Sequence, residues 1–389
     1  MQKPMLYLTA GLLMAWQPLA YAAVATTCTG QQINKTFASG ASWNLCWTVR
    51  PAEGVVLSQV SYKAPNQAAR RVLGEASLSQ LQVDADDAAT GSAFINTDKG
   101  LGNTLLTLTN ADCTGGTLYA SSGRNVLCGV VRSHGYLYKY TTQRQGQFWD
   151  LASQSQVGSR NYSVRWRLYE NGTIEPSLGV SGQLPVVNAT VAQYGWPAMA
   201  TGKVATGFTA HALWRLDFDL DTTNGNDVIE EFNSTPSADR LTKVKSMTVL
   251  GTETARLQNI ETKRWWRVRD SLIGNGGVGT ISYEIVPNDY DQSRANSNNQ
   301  TWLASDVFFT RYKDCEKQAA RNATTNGCAS DVSQFVNNES INSQDVVVWY
   351  KQSYHHVPRS EDSNRIATQW SSFQLLPRDW HARNPFYGR

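Results

Sequence analysis

The sequence has little helical periodicity, no long run of lysine or arginine, and no Cys-x-x-Cys motif. Without a basic run, a net charge of +3 gives no reason to expect a nucleic-acid partner. The missing Cys-x-x-Cys spacing argues against a zinc site and against a thioredoxin-type redox site. The chain also lacks an internal repeat and a low-complexity tract.

The one strongly apolar segment lies at the N-terminus. It begins with Lys3, continues through the apolar stretch 5–16 and ends in the small-residue site Ala20-Tyr21-Ala22. This pattern predicts a secretory signal over residues 1–22 rather than a membrane span. We therefore expect an exported protein, periplasmic or secreted.

All six cysteines follow the predicted cleavage point and form three close pairs in the sequence. The pairs are Cys28 with Cys46, Cys113 with Cys128, and Cys315 with Cys328. An even count in an exported chain favours three local disulfides in an oxidising compartment.

What the chain does have is typical of an all-β protein. It is rich in Trp, Tyr, Thr and Val, and short alternating runs are separated by Asn/Gly turns. The pair Asn171-Gly172 predicts a hairpin with a type I′ turn. Helical spacing is confined to Ala76–Leu81 and Asp314–Arg321. We expect one domain over 23–389, because β-rich architectures often run long as a single unit.

The most informative stretch runs from Asp345 to Asp362, where a buried-type strand separates an acid from the pair His355-His356. It resembles the last metal-ligand strand of the copper-containing, topaquinone-dependent amine oxidases. In that resemblance His356 falls on a copper ligand.

Further segments resemble the same family in family order. They are 42–62, 93–102, 112–128, 166–175, 215–221, 282–287 and 337–341. The resemblance implies the family's β supersandwich of the catalytic domain and a homodimer. It also implies that Cys113 and Cys128 form a family disulfide.

The family converts a tyrosine in an Asn-Tyr-(Asp/Glu)-Tyr motif to topaquinone. Anchored on 166–172 without gaps, the quinone position falls on Arg160, which cannot become a quinone. A two-residue deletion would instead place Tyr162 there, and would preserve the direction of the side chains because the strand period is two. In the ungapped register Tyr162 is a core aromatic, and Arg160 points inward toward His356 beside a carboxylate or carbonyl partner.

The family's catalytic base is an aspartate that removes a proton from the substrate Schiff base. The two spacings known in the family put this position at Asn96 or at Ile95, neither of which can accept that proton. Asp98, expected two residues further on the same strand face, is the only local substitute, and its other interpretation is a solvated turn acid.

The family's copper lies on a His-x-His pair and a later histidine. Without gaps the pair falls on Phe208 and Ala210. His211 is one residue out of register and points to the other face unless a residue is missing. Two copper sites then remain possible. In one, His211 and His356 are the ligands and Thr209 stands where the first imidazole should be; in the other, His356 is the single ligand.

A peripheral calcium site is implied by Asp217, Asp219 and Asp345, with the carbonyls of Phe218 and Val346. Carboxylate and carbonyl oxygens suit calcium, and three acids brought together would repel one another without a cation. The alternative is that these acids face solvent on an edge strand.

The sequence thus predicts an exported homologue that has lost its quinone and base and acts as a binding or structural protein. Its ligand would be a small amine or another molecule that the sequence does not identify. The competing hypothesis is an active copper and topaquinone primary-amine oxidase that uses Tyr162 as the quinone precursor.

Overall fold

The computed structural model describes residues 27–88, 90–188, 195–197, 202–221, 223–288, 300–362 and 365–387. The predicted signal segment, residues 1–22, lies outside the described residues. Within them the regular secondary structure is almost wholly β-strand, and every strand pairing is antiparallel.

The strands are β1 (Gln31–Thr36), β2 (Ser42–Arg50), β3 (Gly54–Lys63), β4 (Arg70–Ala85), β5 (Ser92–Phe94), β6 (Thr117–Ser121), β7 (Arg124–Lys139), β8 (Gln143–Val157), β9 (Arg160–Tyr169), β10 (Ile174–Gly182), β11 (Val186–Asn188), β12 (Gly195–Pro197), β13 (Lys203–Thr206), β14 (Phe208–Asp221), β15 (Asp227–Pro236), β16 (Lys243–Leu250), β17 (Thr254–Arg256), β18 (Trp265–Gly274), β19 (Thr280–Pro287), β20 (Val307–Arg311), β21 (Val346–His356) and β22 (Ile366–Arg378).

Helical structure is limited to short segments. The α-helices are α1 (Ile95–Asp98) and α2 (Val332–Phe335), and the 3₁₀ turns are Thr301–Ala304, Thr325–Gly327 and Ser360–Asp362. In the described part of the chain no helix has the length and apolarity that crossing a membrane requires.

Two large sheets make up the architecture. One has nine strands in the order β1-β2-β3-β4-β14-β21-β20-β17, with β5 beside β4. The other has ten in the order β16-β15-β18-β19-β22-β10-β9-β8-β7-β6, and β11, β13 and β12 form a small third sheet. The all-β supersandwich expectation is confirmed.

The core forms because strand residues alternate between faces. Along β14 the even-numbered side chains from Phe208 to Leu220 pack into the core shared by the two large sheets. Trp214 meets Trp166 of the facing sheet edge to face, with ring centroids 5.1 Å apart, a favoured aromatic geometry. Odd-numbered side chains of β14 point to the other face, and this division places the candidate site residues.

The helical expectation for Ala76–Leu81 is wrong, because these residues lie inside β4. Opposite β14 the pairing shifts so that Leu213 faces Gln80 and Trp214 faces Leu78, which leaves Ser79 as an extra residue. The bulge brings Leu78 and Leu81, three residues apart, into the same core. A bulged strand thereby imitates helical spacing.

Two further local expectations are corrected. Residues 314–321 form a turn, irregular backbone and bends rather than a helix. The hairpin between β9 and β10 is present, but only Gly172 has a positive φ (93°), whereas a type I′ turn needs two such residues. Tyr169 N–H donates to the Thr173 carbonyl at 2.9 Å, so the connection is a three-residue loop ending at the left-handed Gly172.

The three predicted disulfides are confirmed. Cys28–Cys46, Cys113–Cys128 and Cys315–Cys328 have Cα–Cα distances of 5.6, 5.5 and 6.1 Å. Each closes a short loop, and the chain-entropy account assigns about 3 kcal/mol to a loop of this length.

Candidate functional site

The adjacent strands β14 and β21 carry the residues that the sequence singled out as metal ligands. Phe208 lies opposite His356, and His211 lies opposite Ser353. Because neighbours across a ladder share a face, Phe208, Ala210 and His356 point to the interior, while His211 points to the opposite side of the sheet.

His356 is buried and has a partner at each ring nitrogen. Its Nε2 lies 3.0 Å from Oδ2 of the buried Asp362, and its Nδ1 lies 3.2 Å from the Tyr354 hydroxyl. The Phe208 ring stacks on the imidazole with centroids 5.5 Å apart. Burial lowers the pKa of His356, although the Asp362 carboxylate acts in the opposite direction. A neutral imidazole that donates to Asp362 and accepts from Tyr354 has no lone pair left for a metal.

His211 belongs to a different cluster. Its Nδ1 lies 2.8 Å from the Ser353 hydroxyl, and its Nε2 lies 3.4 Å from the Asp84 carboxylate, with no part of the side chain exposed. The predicted copper pair of His211 and His356 therefore does not form, because the sheet separates the two rings. Thr209 points to the same side as His211 and cannot supply the missing ligand beside His356.

Arg160 and Tyr162 both face the interior from β9. The strand pairs with β10 without a bulge from Arg160 opposite Gly182 to Leu168 opposite Ile174. The Arg160 guanidinium lies 4.3 Å from the centroid of the Phe208 ring. Its described partners are this ring and the Tyr162 phenol, rather than the carboxylate or carbonyl that the sequence led us to expect.

Tyr162 is only 2% exposed and packs in the main core. Burial raises the pKa of its phenol, while the neighbouring Arg160 guanidinium lowers that pKa in part. In this structure Tyr162 is the core aromatic predicted by the ungapped register.

Asn96 has a structural task that accounts for an amide at this position. Its Nδ2 donates to the Leu78 carbonyl and its Oδ1 accepts from the Leu81 N–H, both at 2.8 Å. These backbone groups flank the β4 bulge at Ser79. On the other edge of β4 they lie in a gap, because the pairing with β3 ends at Ala76 and the pairing with β5 begins at Gln82. The side chain is 2% exposed. Asn96 therefore pairs the two backbone groups beside the bulge and has no free acceptor for a substrate proton.

The other two candidates for the base position are equally unsuited to it. Ile95 packs into the main core. Asp98 lies in α1, which corrects the expectation that it continues a strand face, and it forms an ion pair with Arg321 at the surface.

The predicted acid cluster is assembled. Asp217, Asp219 and Asp345 each present a carboxylate oxygen, and these oxygens lie within 4.8 Å of one another. Asp217 and Asp219 are largely buried, and Asp345 directly precedes β21, the neighbour of β14. The alternative that the three acids simply face solvent on an edge strand does not match this placement in the middle of the nine-stranded sheet.

The electrostatics of the cluster are those of a site that lacks its counter-charge. Burial raises the pKa of Asp217 well above its ordinary value, and the charges of Asp219 and Asp345 raise it further, although Arg215 lowers it. Burial also raises the pKa of Asp219. The pKa of Asp345 is raised to about 7, mainly by burial and then by Asp219. Such repulsion is relieved when a cation binds.

Unsatisfied atoms and local space also fit a cation. Oδ1 of Asp217 and Oδ1 of Asp345 are buried without a hydrogen-bond partner. The acids line a cavity of about 290 Å³. At Gly74 a Cβ atom would lie 2.6 Å from Oδ2 of Asp219, so the close approach of the acids to β4 requires glycine. A calcium ion would be held by the three carboxylates, together with the carbonyls of Phe218 and Val346 that the resemblance implies.

Sequence reasoning missed three residues that shape these sites. Asp362 was part of the recognised motif but had no role assigned to it, although an acid so soon after His356 is a natural partner for an imidazole. Tyr354 could have been found because it shares a strand face with His356. Asp227 gave no signal, since it lies on the other sheet; burial, and then the charges of Asp219 and Asp345, raise the pKa of its carboxyl.

Comparisons with known proteins agree with the fold. The family model "copper amine oxidase, enzyme domain" matches residues 32–388. A primary amine oxidase of Arthrobacter sp. (strain P1) is 26% identical over 392 residues, which cover 89% of this chain and 59% of the relative. A primary amine oxidase of Lens culinaris is 22% identical, covering 92% of this chain and 60% of the relative.

Among solved structures, a copper-containing benzylamine oxidase from Hansenula polymorpha matches with a TM-score of 0.76 at 18% identity, over 94% of this chain and 64% of that chain. An amine oxidase from Aspergillus nidulans matches with a TM-score of 0.74 at 19% identity, over 97% and 56%. The chain thus spans about 60% of the length of the curated relatives it matches. Because the family model covers almost the whole described chain, this protein belongs to the copper amine oxidase family.

Proposed function

We propose that this chain is a catalytically degenerate copper amine oxidase homologue that acts as an exported binding or structural protein. The observation that carries this proposal is the interior stack of Arg160, Phe208 and His356. In it a guanidinium takes the place of the quinone, and a phenyl ring takes the place of a copper-ligating imidazole.

The assignment depends on the ungapped register of β9 against the family motif. Within this chain β9 pairs without interruption with both β8 and β10 from Arg160 to Leu168. The Tyr162 phenol remains beside Arg160 in the core.

Copper does not fit the residues at this position. His356 uses both nitrogens for Asp362 and Tyr354, and His211 lies across the sheet. Phe208 and Ala210 complete the wall with side chains that have no donor atom. Asn96 is likewise committed to the β4 bulge and cannot serve as the base.

Calcium fits the acid cluster, and we include it in the proposal. When bound, a divalent cation would neutralise the clustered carboxylates of Asp217, Asp219 and Asp345. In doing so it would fasten the end of β14 to the start of β21. The chain itself supplies the close approach through Gly74 and the unpartnered carboxylate oxygens.

Export and assembly are the remaining parts of the proposal. Three disulfides favour an oxidising compartment, periplasmic or extracellular. A homodimer follows from the family resemblance.

The test is a spectroscopic and activity assay on purified protein incubated with copper and oxygen. We expect no quinone absorbance, no phenylhydrazine adduct and no hydrogen peroxide release with simple primary amines. The Tyr162→Phe variant is the matched control, and it should behave as the wild type does. A carbonyl-reagent adduct that maps to Tyr162 and is lost in the Phe variant would instead establish the active-oxidase alternative.

A further inference from the structure

A cavity of about 330 Å³ lies on the outer face of the ten-stranded sheet. Strands β8, β9 and β10 form its floor, and the loop 106–112 forms a wall. On β9 the cavity is lined by Asn161 and Ser163, which alternate with the inward-facing Arg160 and Tyr162. Binding in this cavity is therefore independent of whether the interior is catalytically active.

The wall of the cavity is fixed at both ends. The Leu106 N–H donates to the Gln154 carbonyl at 2.8 Å, which attaches the start of the loop to β8. The disulfide Cys113–Cys128 ties the other end to β7. Because the floor is regular sheet and the wall is anchored, the cavity is preformed, and a ligand would not have to order a loop on binding.

Asn161 brings to this cavity an acceptor that the protein leaves unsatisfied. Its Oδ1 is buried and accepts no hydrogen bond, although buried polar atoms normally have a partner. Its neighbour across the ladder, Gln156, is exposed and lies outside the cavity, and its Nε2 donates to the Gly158 carbonyl at 3.4 Å. The missing donor is therefore particular to the amide that lines the cavity, and a donating group on a ligand would supply it.

The other polar side chains of the floor are amides and hydroxyls, which can both donate and accept. The Ser163 hydroxyl donates to Oε1 of Gln154 at 2.7 Å. This leaves the Gln154 amide N–H groups and the Ser163 lone pairs for a ligand. Ser181 and Thr368 add two more hydroxyls to the lining. Ligand hydroxyl groups match this mixture, because they too donate and accept.

The charge of the lining argues against an anionic ligand. Among the described residues that line the cavity, Asp112 is the one charged side chain. Its Oδ2 accepts from the N–H and the hydroxyl of Thr109, both at 2.7 Å, and these bonds lower the pKa of the carboxyl. Asp112 thus stays ionised and is already hydrogen-bonded. A neutral ligand meets no opposing charge here.

Apolar groups complete the lining. Leu106 and Leu108 on the wall and Ala152 on the floor offer contacts to C–H groups. The cavity is at the lower end of the size range of ligand pockets, which suits a small molecule of about one ring. A sugar ring combines the two required properties, since hydroxyl groups surround a ring with C–H faces.

We propose that this cavity binds one ring of a neutral sugar, with Asn161 accepting a hydrogen bond from a sugar hydroxyl. Gln154 and Ser163 serve further hydroxyl groups of the ring. The site goes beyond the proposed function, which leaves the ligand unidentified, and it requires neither calcium nor copper.

The experiment is a ligand-observed NMR titration of the full chain with the methyl glycosides of glucose, galactose and N-acetylglucosamine. At least one of them should bind with a measurable dissociation constant. In Asn161→Ala that constant should rise about tenfold, as expected for the loss of one hydrogen bond. Without sugar, the variant should be at least as stable as the wild type, because a buried unpaired acceptor is gone.

Gln156→Ala is the matched control, because it removes an amide from the same rung of the ladder but outside the cavity. It should keep the dissociation constant within twofold. Ala152→Phe places a phenyl ring on the floor and should abolish binding while the circular dichroism spectrum is retained. If that variant does not fold, Asn161→Ala and its control still decide the question.

The matching uronides of glucose and galactose test the neutrality of the ligand. They should bind more weakly than the neutral glycosides, because their carboxylate meets Asp112 and no cation in the lining. Tighter binding of a uronide would overturn the assignment to neutral sugars. The absence of binding by all three neutral glycosides, or an unchanged dissociation constant in Asn161→Ala, would overturn the site itself.

Discussion

The guanidinium of Arg160 lies 4.3 Å from the centroid of the Phe208 ring, and the same ring stacks on the imidazole of His356. A cation over an aromatic face is worth about 0.5–2 kcal/mol, depending on how far it is desolvated. Since Arg160 also lies beside the Tyr162 phenol, the side chain is held at two points. The stack therefore fills, with stabilising contacts, the interior position to which the proposed function assigns the family's chemistry.

We predict that Arg160→Tyr will not restore a quinone. The variant returns a phenol to the family's position, but His211 remains on the other face of the sheet and the lone pair of His356 remains engaged. Copper-loaded protein should stay colourless under air and give no phenylhydrazine adduct. Unfolding by urea should show a loss of about 1 kcal/mol, because the contact with Phe208 is removed.

The control is Arg165→Tyr on the same strand. Arg165 stacks on Trp370 on the outer side of the sheet, with the guanidinium 3.6 Å from the ring centroid. The Arg165→Tyr variant measures how much unfolding free energy is lost when an arginine is removed, and it leaves the interior stack of Arg160, Phe208 and His356 intact. A pink colour in Arg160→Tyr would mean that a copper site forms and that the degenerate assignment is wrong.

A second prediction concerns Asn96→Asp, which restores the acid at the family's base position. An ionised carboxylate cannot donate to the Leu78 carbonyl, so a buried backbone acceptor is left unpaired beside a new charge. We expect a loss of about 1–3 kcal/mol in unfolding free energy, or more if the carboxylate stays ionised. No amine oxidation should appear.

Asn103→Asp provides the comparison for that experiment. The Asn103 amide makes only a long, exposed contact of 3.4 Å to the Lys99 carbonyl, so its replacement should change stability by less than about 0.5 kcal/mol. Equal effects at both positions would mean that Asn96 does not support the bulge.

Particular residues show what the sequence could and could not predict. The face of His211 was predictable because a strand has a strict period of two and the motif fixed the register of β14. The bulge at Ser79 was not, since an inserted residue makes Leu78 and Leu81 look helical. The hydrogen bonds of Asn96 to the backbone of Leu78 and Leu81 could not be predicted for the same reason. Asp227 was hidden because contact between sheets leaves no periodic trace in the chain.

A third prediction is that calcium, and not copper, stabilises the protein. A ligand that binds only the folded state at a hundredfold excess over its dissociation constant contributes about 2.7 kcal/mol. Millimolar calcium should therefore raise the Tm in thermal unfolding monitored by circular dichroism. Asp217→Ala should abolish this rise, because it removes the central carboxylate of the cluster.

The exposed Asp314 is the control, since its side chain is 89% exposed near the same surface and pairs only with Lys317 at 3.3 Å and Tyr312 at 3.2 Å. Asp314→Ala should keep the full calcium response. If stoichiometric copper stays bound after dialysis and calcium does not raise the Tm, the two metal assignments are the wrong way round.

The last prediction concerns pH and Glu316, a buried acid outside the calcium cluster. Its pKa is raised to about 7, mainly by burial and in part by the charge of Glu253, although Lys313 acts in the opposite direction. Because the folded protein holds this proton more tightly than the unfolded chain does, it binds more protons than the unfolded chain between about pH 4.3 and 7. Stability contributed by the protonated form is complete below that window and is lost as pH rises through it.

Glu316→Gln keeps the shape of the side chain and removes the titration. We expect wild-type unfolding free energy to fall more steeply than that of the variant between pH 5 and 8, measured by urea denaturation in EGTA. The difference between the two proteins isolates Glu316, because Asp217 and Asp345 titrate in both. Glu361→Gln at an exposed position controls for the loss of one negative charge. Parallel profiles for wild type and Glu316→Gln would show that Glu316 is already ionised at pH 5, and that Lys313, 3.7 Å away, outweighs the effect of burial.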